Sequence, residues 1–381
     1  MKKIISIALA LLMVAVMLPV MAMADEATLQ SQINNATSTI IKLDKDYTED
    51  IVIDKELTID LNGHKLTNNV GDTITVNANG NLTITGNGTV DNVTHGKAAL
   101  SIKENGKATL NGGYFNRSKE NGKGADDPGG NSYYTLINHG ELIINDGAVV
   151  TTASGSSTLG CFSSLVENGY FSHNNSTYYP TLTIKGGIFK GGLNTIKNDD
   201  NGIINIYGGK CENYYQACVQ NHHKATIYNG EFSTDVSSAW SVLNCGSCSS
   251  VDAIHDAHEL VIKNGNFKGD VRANVGTVKI EGGSFESSFT KEGNATIEIS
   301  GGTFKKDIDK SYIVDGKKLD ANGNVVPDTI TIIVPSEGGS TTTPSTDNTK
   351  NPSTGANDFV GVAAALAVVS LLGAAAVIRK K

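Results

Sequence analysis

The sequence predicts an all-β solenoid, in which short strands and tight turns repeat as successive coils. Three observations carry that expectation. A unit of the form apolar-x-Ile-x-Gly/Asn-Gly-x-Phe recurs through residues 108–304, and a second short strand ending in asparagine recurs between its copies. Both repeats sit in a middle region whose flanks differ in composition and read as processing signals.

The glycine-bearing unit occurs at 108–115, 182–189, 204–211, 225–232, 260–267, 278–285 and 297–304. A looser copy lies at 142–149, and earlier relatives at 57–66 and 82–90. Apolar residues alternate and then stop at a glycine pair, as in a half-buried strand meeting a turn that needs positive φ. The second glycines are Gly113, Gly147, Gly187, Gly209, Gly230, Gly265, Gly283 and Gly302, spaced 34, 40, 22, 21, 35, 18 and 19 residues apart. A basal coil of about 20 residues is therefore interrupted by three long insertions. Alternation turns Ile184, Ile206, Ile227 and Ile262 inward and Lys185, Tyr207, Tyr228 and Lys263 outward.

The second strand appears as Leu136-Ile137-Asn138, Val166-Glu167-Asn168, Ile196-Lys197-Asn198, Val219-Gln220-Asn221 and Val242-Leu243-Asn244, with Asn274 as a sixth expected copy. One asparagine per coil, always at the same strand end, suits an internal ladder of side-chain amides. These features resemble the right-handed, single-stranded parallel β-helix of the pectate-lyase-like superfamily. Coils of that kind bury apolar surface only by stacking, so the open ends need covers. Residues 26–36 read as a short N-terminal capping helix, 40–66 as a strand-rich entry, and 312–334 as a closing hairpin around Asn322-Gly323.

The flanks set the domain organisation. Lys2 and Lys3, an apolar run over 4–20 and Ala22-Met23-Ala24 read as a signal peptide over 1–24. The β-helix domain is expected over 25–334, and a Ser/Thr/Pro/Gly-rich linker over 335–350. Asn351-Pro352-Ser353-Thr354-Gly355 then precedes an apolar stretch at 359–378, long enough to cross a bilayer, and the basic Arg379-Lys380-Lys381. This order, over 351–381, resembles the sorting signal of sortase substrates. The resemblance implies that a sortase cysteine attacks the Thr354 carbonyl and that an amine of the peptidoglycan precursor resolves the acyl-enzyme. Sortase and that precursor are thus implied partners, the cell wall of a Gram-positive bacterium the implied location, and the precursor's C-terminal segment its only membrane contact. The commonest form of the motif begins with Leu; this one begins with Asn351.

Between the two signals, 26 basic and 38 acidic residues leave a net charge of −12, which disfavours nucleic acid as a partner. The five cysteines, Cys161, Cys211, Cys218, Cys245 and Cys248, allow at most two disulfides. Cys211 stands where the repeat carries its inward phenylalanine and is expected as a buried thiol, whereas Cys245-x-x-Cys248 is open to bridging.

Enzymes of the resembled superfamily group carboxylates on outward positions of adjacent coils, to bind calcium or to act as acid and base. No organic cofactor is implied, and calcium remains open. The outward row of the glycine-bearing strands carries no carboxylate stack. Asp199-Asp200 and His222-His223 follow the ladder asparagines of consecutive coils, so an in-register stack makes them neighbours and a candidate acid-base or metal site. His255-x-x-His258 is a weaker metal candidate that requires a helix. Tyr207 and Tyr228 are expected to stack on one face, and Tyr214 and Tyr215 to lie in a loop, as flat surfaces for sugar rings of host or plant glycans. Three classes of function follow: an adhesin or glycan-binding module, a polysaccharide lyase or glycoside hydrolase, and a structural wall protein without a dedicated ligand. The tyrosine and lysine rows favour the first. If the sorting signal operates, Thr354→Ala shifts the protein from the wall fraction to the membrane or medium; recovery in the muramidase-released wall fraction unchanged from wild type removes the sortase reading.

Overall fold

Strands of two to five residues cannot bury an apolar face alone, and in the computed structural model of this chain they do so by stacking coil on coil. The structure describes residues 27–119, 133–152, 164–171, 177–234, 239–245 and 258–328, all within one compact unit. Each coil gives one strand to each of three sheets. Sheet 1 holds eleven strands, from Ile40–Lys42 to Thr296–Ile299, and sheet 2 eleven, from Tyr47–Thr48 to Thr303–Phe304. Sheet 3 holds ten, from Ile51–Ile53 to Phe289–Lys291. Sheet neighbours are always three strands apart in sequence and always parallel, and the chain winds as the expected right-handed parallel β-helix.

The glycine-bearing repeat is the sheet 1 strand, the corner and the sheet 2 strand. Ile184, Ile206, Ile227 and Ile262 are at most 1% exposed and lie in one register row. Past the corner, Phe232, Phe267, Phe285 and Phe304 stack inside sheet 2, with ring centroids 4.8–5.0 Å apart and planes within 8°. Cys211 occupies the same row beneath Phe232 as a buried free thiol. All eight second glycines have φ between 91° and 144°. The first glycine of a pair is needed for space, since a Cβ at Gly282 would stand 2.4 Å from the Lys263 carbonyl oxygen of the coil below.

The asparagines of sheet 3 form the ladder. Asn138, Asn168, Asn198, Asn221 and Asn244 are fully buried, and each Nδ2 donates to the Oδ1 of the next at 2.7, 2.8, 2.8 and 2.6 Å. Each amide also donates to a backbone carbonyl, such as that of Thr181, Ile203, Lys224, Glu259 or Val275. Asn274 is not a sixth rung. A register shift between Trp240 and Val242 sets Ala273 opposite Asn244, and the Asn274 amide oxygen accepts from Arg272 Nε instead.

Both ends are covered. Helix Leu29–Asn35 buries Leu29 and Ile33 over the first coil; Thr28 caps it, and the Glu49 carboxylate accepts from the Leu29 and Gln30 amides. The Gln30 side chain pairs with both backbone groups of Val52, occupying the open edge of sheet 3. At the far end Lys317–Leu319 and Val325–Pro327 form the antiparallel hairpin, turning at Asn322-Gly323. It bonds to the last coil through Val325 N to Gly302 O and Phe304 N to Gly323 O. Among the described residues no helix is long and apolar enough to cross a membrane; the expected span 359–378 and the motif 351–355 lie outside them.

Replacing Asn198 or Asn221 by Leu leaves buried partners unpaired and is expected to cost about 1–3 kcal/mol each, whereas Asn274→Leu costs under about 0.5 kcal/mol. Urea unfolding followed by circular dichroism checks the contrast.

Candidate functional site

Because the coils are in register, every residue beside a ladder asparagine falls into a column on the outer side of sheet 3. The residues before the asparagines are Ile137, Glu167, Lys197, Gln220 and Leu243. Those after them are His139, Gly169, Asp199, His222 and Cys245, each N–H bonded to the strand below. An outer face is ordinarily wet, yet Glu167, Lys197, Asp199, His222 and Cys245 are all nine-tenths or more buried. Each long departure from the basal coil leaves the chain at a border of sheet 3, between sheets 2 and 3 or between sheets 3 and 1, while the glycine corners stay short.

Lys197 Nζ lies 3.0 Å from Asp199 Oδ1 and 3.3 Å from the Tyr134 hydroxyl, which in turn is 3.4 Å from Asp199 Oδ2. His222 Nε2 stands 4.0 Å from Asp199 Oδ1, and Cys245 Sγ 3.5 Å from His222 Nδ1. Burial, then the neighbouring Asp199 charge, raises the Glu167 carboxyl well above its ordinary range, beside an Asp199 carboxylate paired with Lys197. Burial also pushes the Cys245 thiol up to about 12 and holds His139 below the usual imidazole range, leaving both neutral.

At one end of this cluster a cavity of about 400 Å³ is lined by Tyr133, Tyr134, Ile137, His139, Glu167, Tyr170 and Phe171. His139 stacks on Tyr170 at 4.7 Å, and the Tyr170 hydroxyl donates to Glu104. Gly169 carries φ +105°, and a Cβ there would sit 2.6 Å from the Asp200 carbonyl oxygen. That tight approach turns the chain so that Tyr170 and Phe171 fold back over the sheet.

The sequence-derived candidates divide. Asp199 and His222 are brought together as the register requires. Asp200 and His223 are not part of that pair: the Asp200 backbone bridges to Tyr170, and His223 Nδ1 faces the Gly202 carbonyl with its ring beside Tyr179. His258 Nδ1 contacts the His222 carbonyl, and His255 lies outside the described residues. No group of three His, Cys, Asp or Glu side chains among the described residues is disposed to hold a metal ion. Cys245 is a buried free thiol, and Cys161 and Cys248 lie outside the described residues. Tyr207 and Tyr228 stack as expected at 4.4 Å and 7°, at the corner between sheets 1 and 2. Tyr214 and Tyr215 are elsewhere, at the corner between sheets 2 and 3, where the Tyr214 hydroxyl donates to Glu212.

Two carboxyl side chains, Glu167 and Asp199, stand on neighbouring coils of sheet 3, outside the tyrosine and lysine row read from the glycine-bearing strands. The positions of Glu167 and Lys197 were legible: alternation across Val166-Glu167-Asn168 and Ile196-Lys197-Asn198 points their middle residues away from the ladder, whereas no such rule marks Tyr134. Comparisons with protein-family models, curated proteins and solved structures returned no match.

The raised carboxyl has a consequence for stability. Its pKa in the folded chain exceeds its unfolded value near 4.5, so the stability it contributes is complete below that pH and is lost as pH rises towards the folded value. Glu167→Gln is therefore expected to flatten the fall in melting temperature between pH 4.5 and pH 8, as read by calorimetry. A wild-type slope that survives the substitution contradicts the assignment.

Proposed function

We propose that this chain is a surface protein of a Gram-positive bacterium that binds glycans through the aromatic cavity on sheet 3. The observation that carries the reading is the cavity itself, in which the side chains of Tyr133, Tyr134, Tyr170 and Phe171 surround a single carboxyl group. Sugar rings present flat C–H faces to aromatic rings and hydroxyls to polar side chains, and about 400 Å³ suits one or two such rings. Phe171 is half-exposed while Tyr134 and Tyr170 are buried, so a ligand would meet the Phe171 ring at the surface and the others beneath it. Export and sortase anchoring, read from residues 1–24 and 351–381, would present this face outside the cell, with residues 335–350 as a stalk. The likeness to the pectate-lyase-like superfamily supports a polysaccharide rather than a protein ligand.

One observation favours a second reading, cleavage. The Glu167 carboxyl is raised well above its ordinary range and Asp199 is a carboxylate held by Lys197, and two carboxyls driven apart in this way are the equipment of general acid and base catalysis. Asp199 is fully buried behind Lys197, which is why binding is preferred.

A glycan-array screen of residues 25–354 should return ligands whose affinity falls about tenfold or more in Phe171→Ala or Tyr170→Ala and is unchanged in Tyr207→Ala. The reverse pattern moves the site to the tyrosine pair of sheet 1. Release of reducing ends or unsaturated products, abolished by Glu167→Gln, replaces binding by cleavage.

A further inference from the structure

We propose that the sheet 3 cavity selects an ammonium-bearing sugar, a hexosamine with a free amine, over its neutral counterparts. The inference rests on the glycan reading above and names the chemical class of the ligand. Aromatic faces attract cations, and this chain already uses its own in that way. Lys197 Nζ stands 4.4 Å from the Phe171 ring centroid and 5.8 Å from that of Tyr134, and Arg117 Cζ 5.2 Å from that of Tyr133. Lys197 is answered by Asp199 at 3.0 Å, so its charge does not stand against a second cation.

Besides Arg117 on the Tyr133 ring and Lys103, whose charge acts on His139, the groups around the cavity are acidic or neutral. Glu167 lines the cavity, Glu104 holds the Tyr170 hydroxyl at the rim, and the Tyr133 hydroxyl is pushed up to about 12, chiefly by burial and then by the charge of Asp72. His139 is neutral. An incoming carboxylate, such as that of a uronic acid, would meet Lys197 already paired with Asp199 and would hold the Glu167 carboxyl in its neutral form, gaining no ion pair there. An incoming ammonium instead meets ring faces and a carboxyl able to ionise.

Proton balance follows from those contacts. Glu167 is faced by Asp199 and Lys197 of the next coil, by Tyr133 of the preceding one, and by the Phe171 backbone N–H. With the cavity empty its proton is retained; a bound ammonium stabilises the carboxylate, and the proton leaves to solvent. Amine binding therefore releases protons and strengthens as pH rises towards the elevated Glu167 range, while neutral sugars show neither effect.

The test is isothermal titration of residues 25–354 with three tetrasaccharides of the same linkage, those of glucosamine, of N-acetylglucosamine and of glucose, in two buffers of different ionisation enthalpy. The glucosamine tetramer is expected to bind about tenfold more tightly than either neutral one, with proton release. Glu167→Gln copies the protonated acid in shape and is expected to remove the preference and the proton release while keeping neutral binding. Phe171→Ala, at a half-exposed position that leaves the core intact, weakens all three. Equal affinity for the three sugars overturns amine selection and leaves glycan binding standing. An amine preference that persists in Glu167→Gln overturns the assignment to this carboxyl. Absence of binding by all three overturns this proposal, and a glycan array empty as well removes the reading beneath it.

Discussion

Register is the constraint from which the rest of the molecule follows, and the buried asparagine ladder is the interaction that fixes it. A β-strand slipped by one residue turns every side chain to the other face, and a parallel stack multiplies that error through each coil above. Four amide-to-amide bonds of 2.6–2.8 Å, inside a core otherwise made of Ile, Leu, Val and Phe, penalise any slip by leaving polar atoms unpaired where water cannot reach them. Hydrophobic burial supplies most of the stabilisation but is nearly indifferent to a shift along a row of similar aliphatic residues. The amides are not.

The same register builds the candidate site. Glu167, Lys197 and Gln220 come from three coils and are dozens of residues apart in the chain, yet they stand in one column because the neighbouring asparagines do. Burial of that column then sets its chemistry. A carboxyl, a lysine, an imidazole and a thiol on an outer face would ordinarily be solvated and unperturbed; here Tyr170 and Phe171 stand against Glu167 and Lys197, Cys245 packs separately with Ala217 and Leu243, and burial raises both the Glu167 carboxyl and the Cys245 thiol. Opposite-charge pairs of the more exposed kind also recur between coils, as in Lys210–Glu231 and Lys263–Glu281, but they face water and contribute little beyond solubility.

Much of the fold was legible from the sequence because each coil repeats a local rule. Period-two apolar strands, a glycine pair with positive φ and a closing asparagine need no long-range information, and the row of inward isoleucines, the buried Cys211 and the Tyr207–Tyr228 stack all follow from phase alone. Asn274 shows where phase fails: a bulge near Trp240 moves the next coil by one position, and neither residue type announces it. The site was legible in part. Asp199 beside His222 follows from counting past the asparagines, and Glu167 beside Lys197 from counting before them.

By itself, then, the sequence determined the repeating secondary structure, the inward and outward phase of each strand, the caps and the stacking order, since these depend on residues close together in the chain or on one repeated period. Only the tertiary structure decided which outward face became a site. All three sheets present outward columns, and the glycine corners keep two of them open to water. At sheet 3 Tyr133, Tyr170 and Phe171 stand around one cavity with Glu167, a meeting of side chains that no period relates. Burial by those rings, rather than the presence of a carboxyl in the sequence, is what turns Glu167 from a solvated charge into a retained acid.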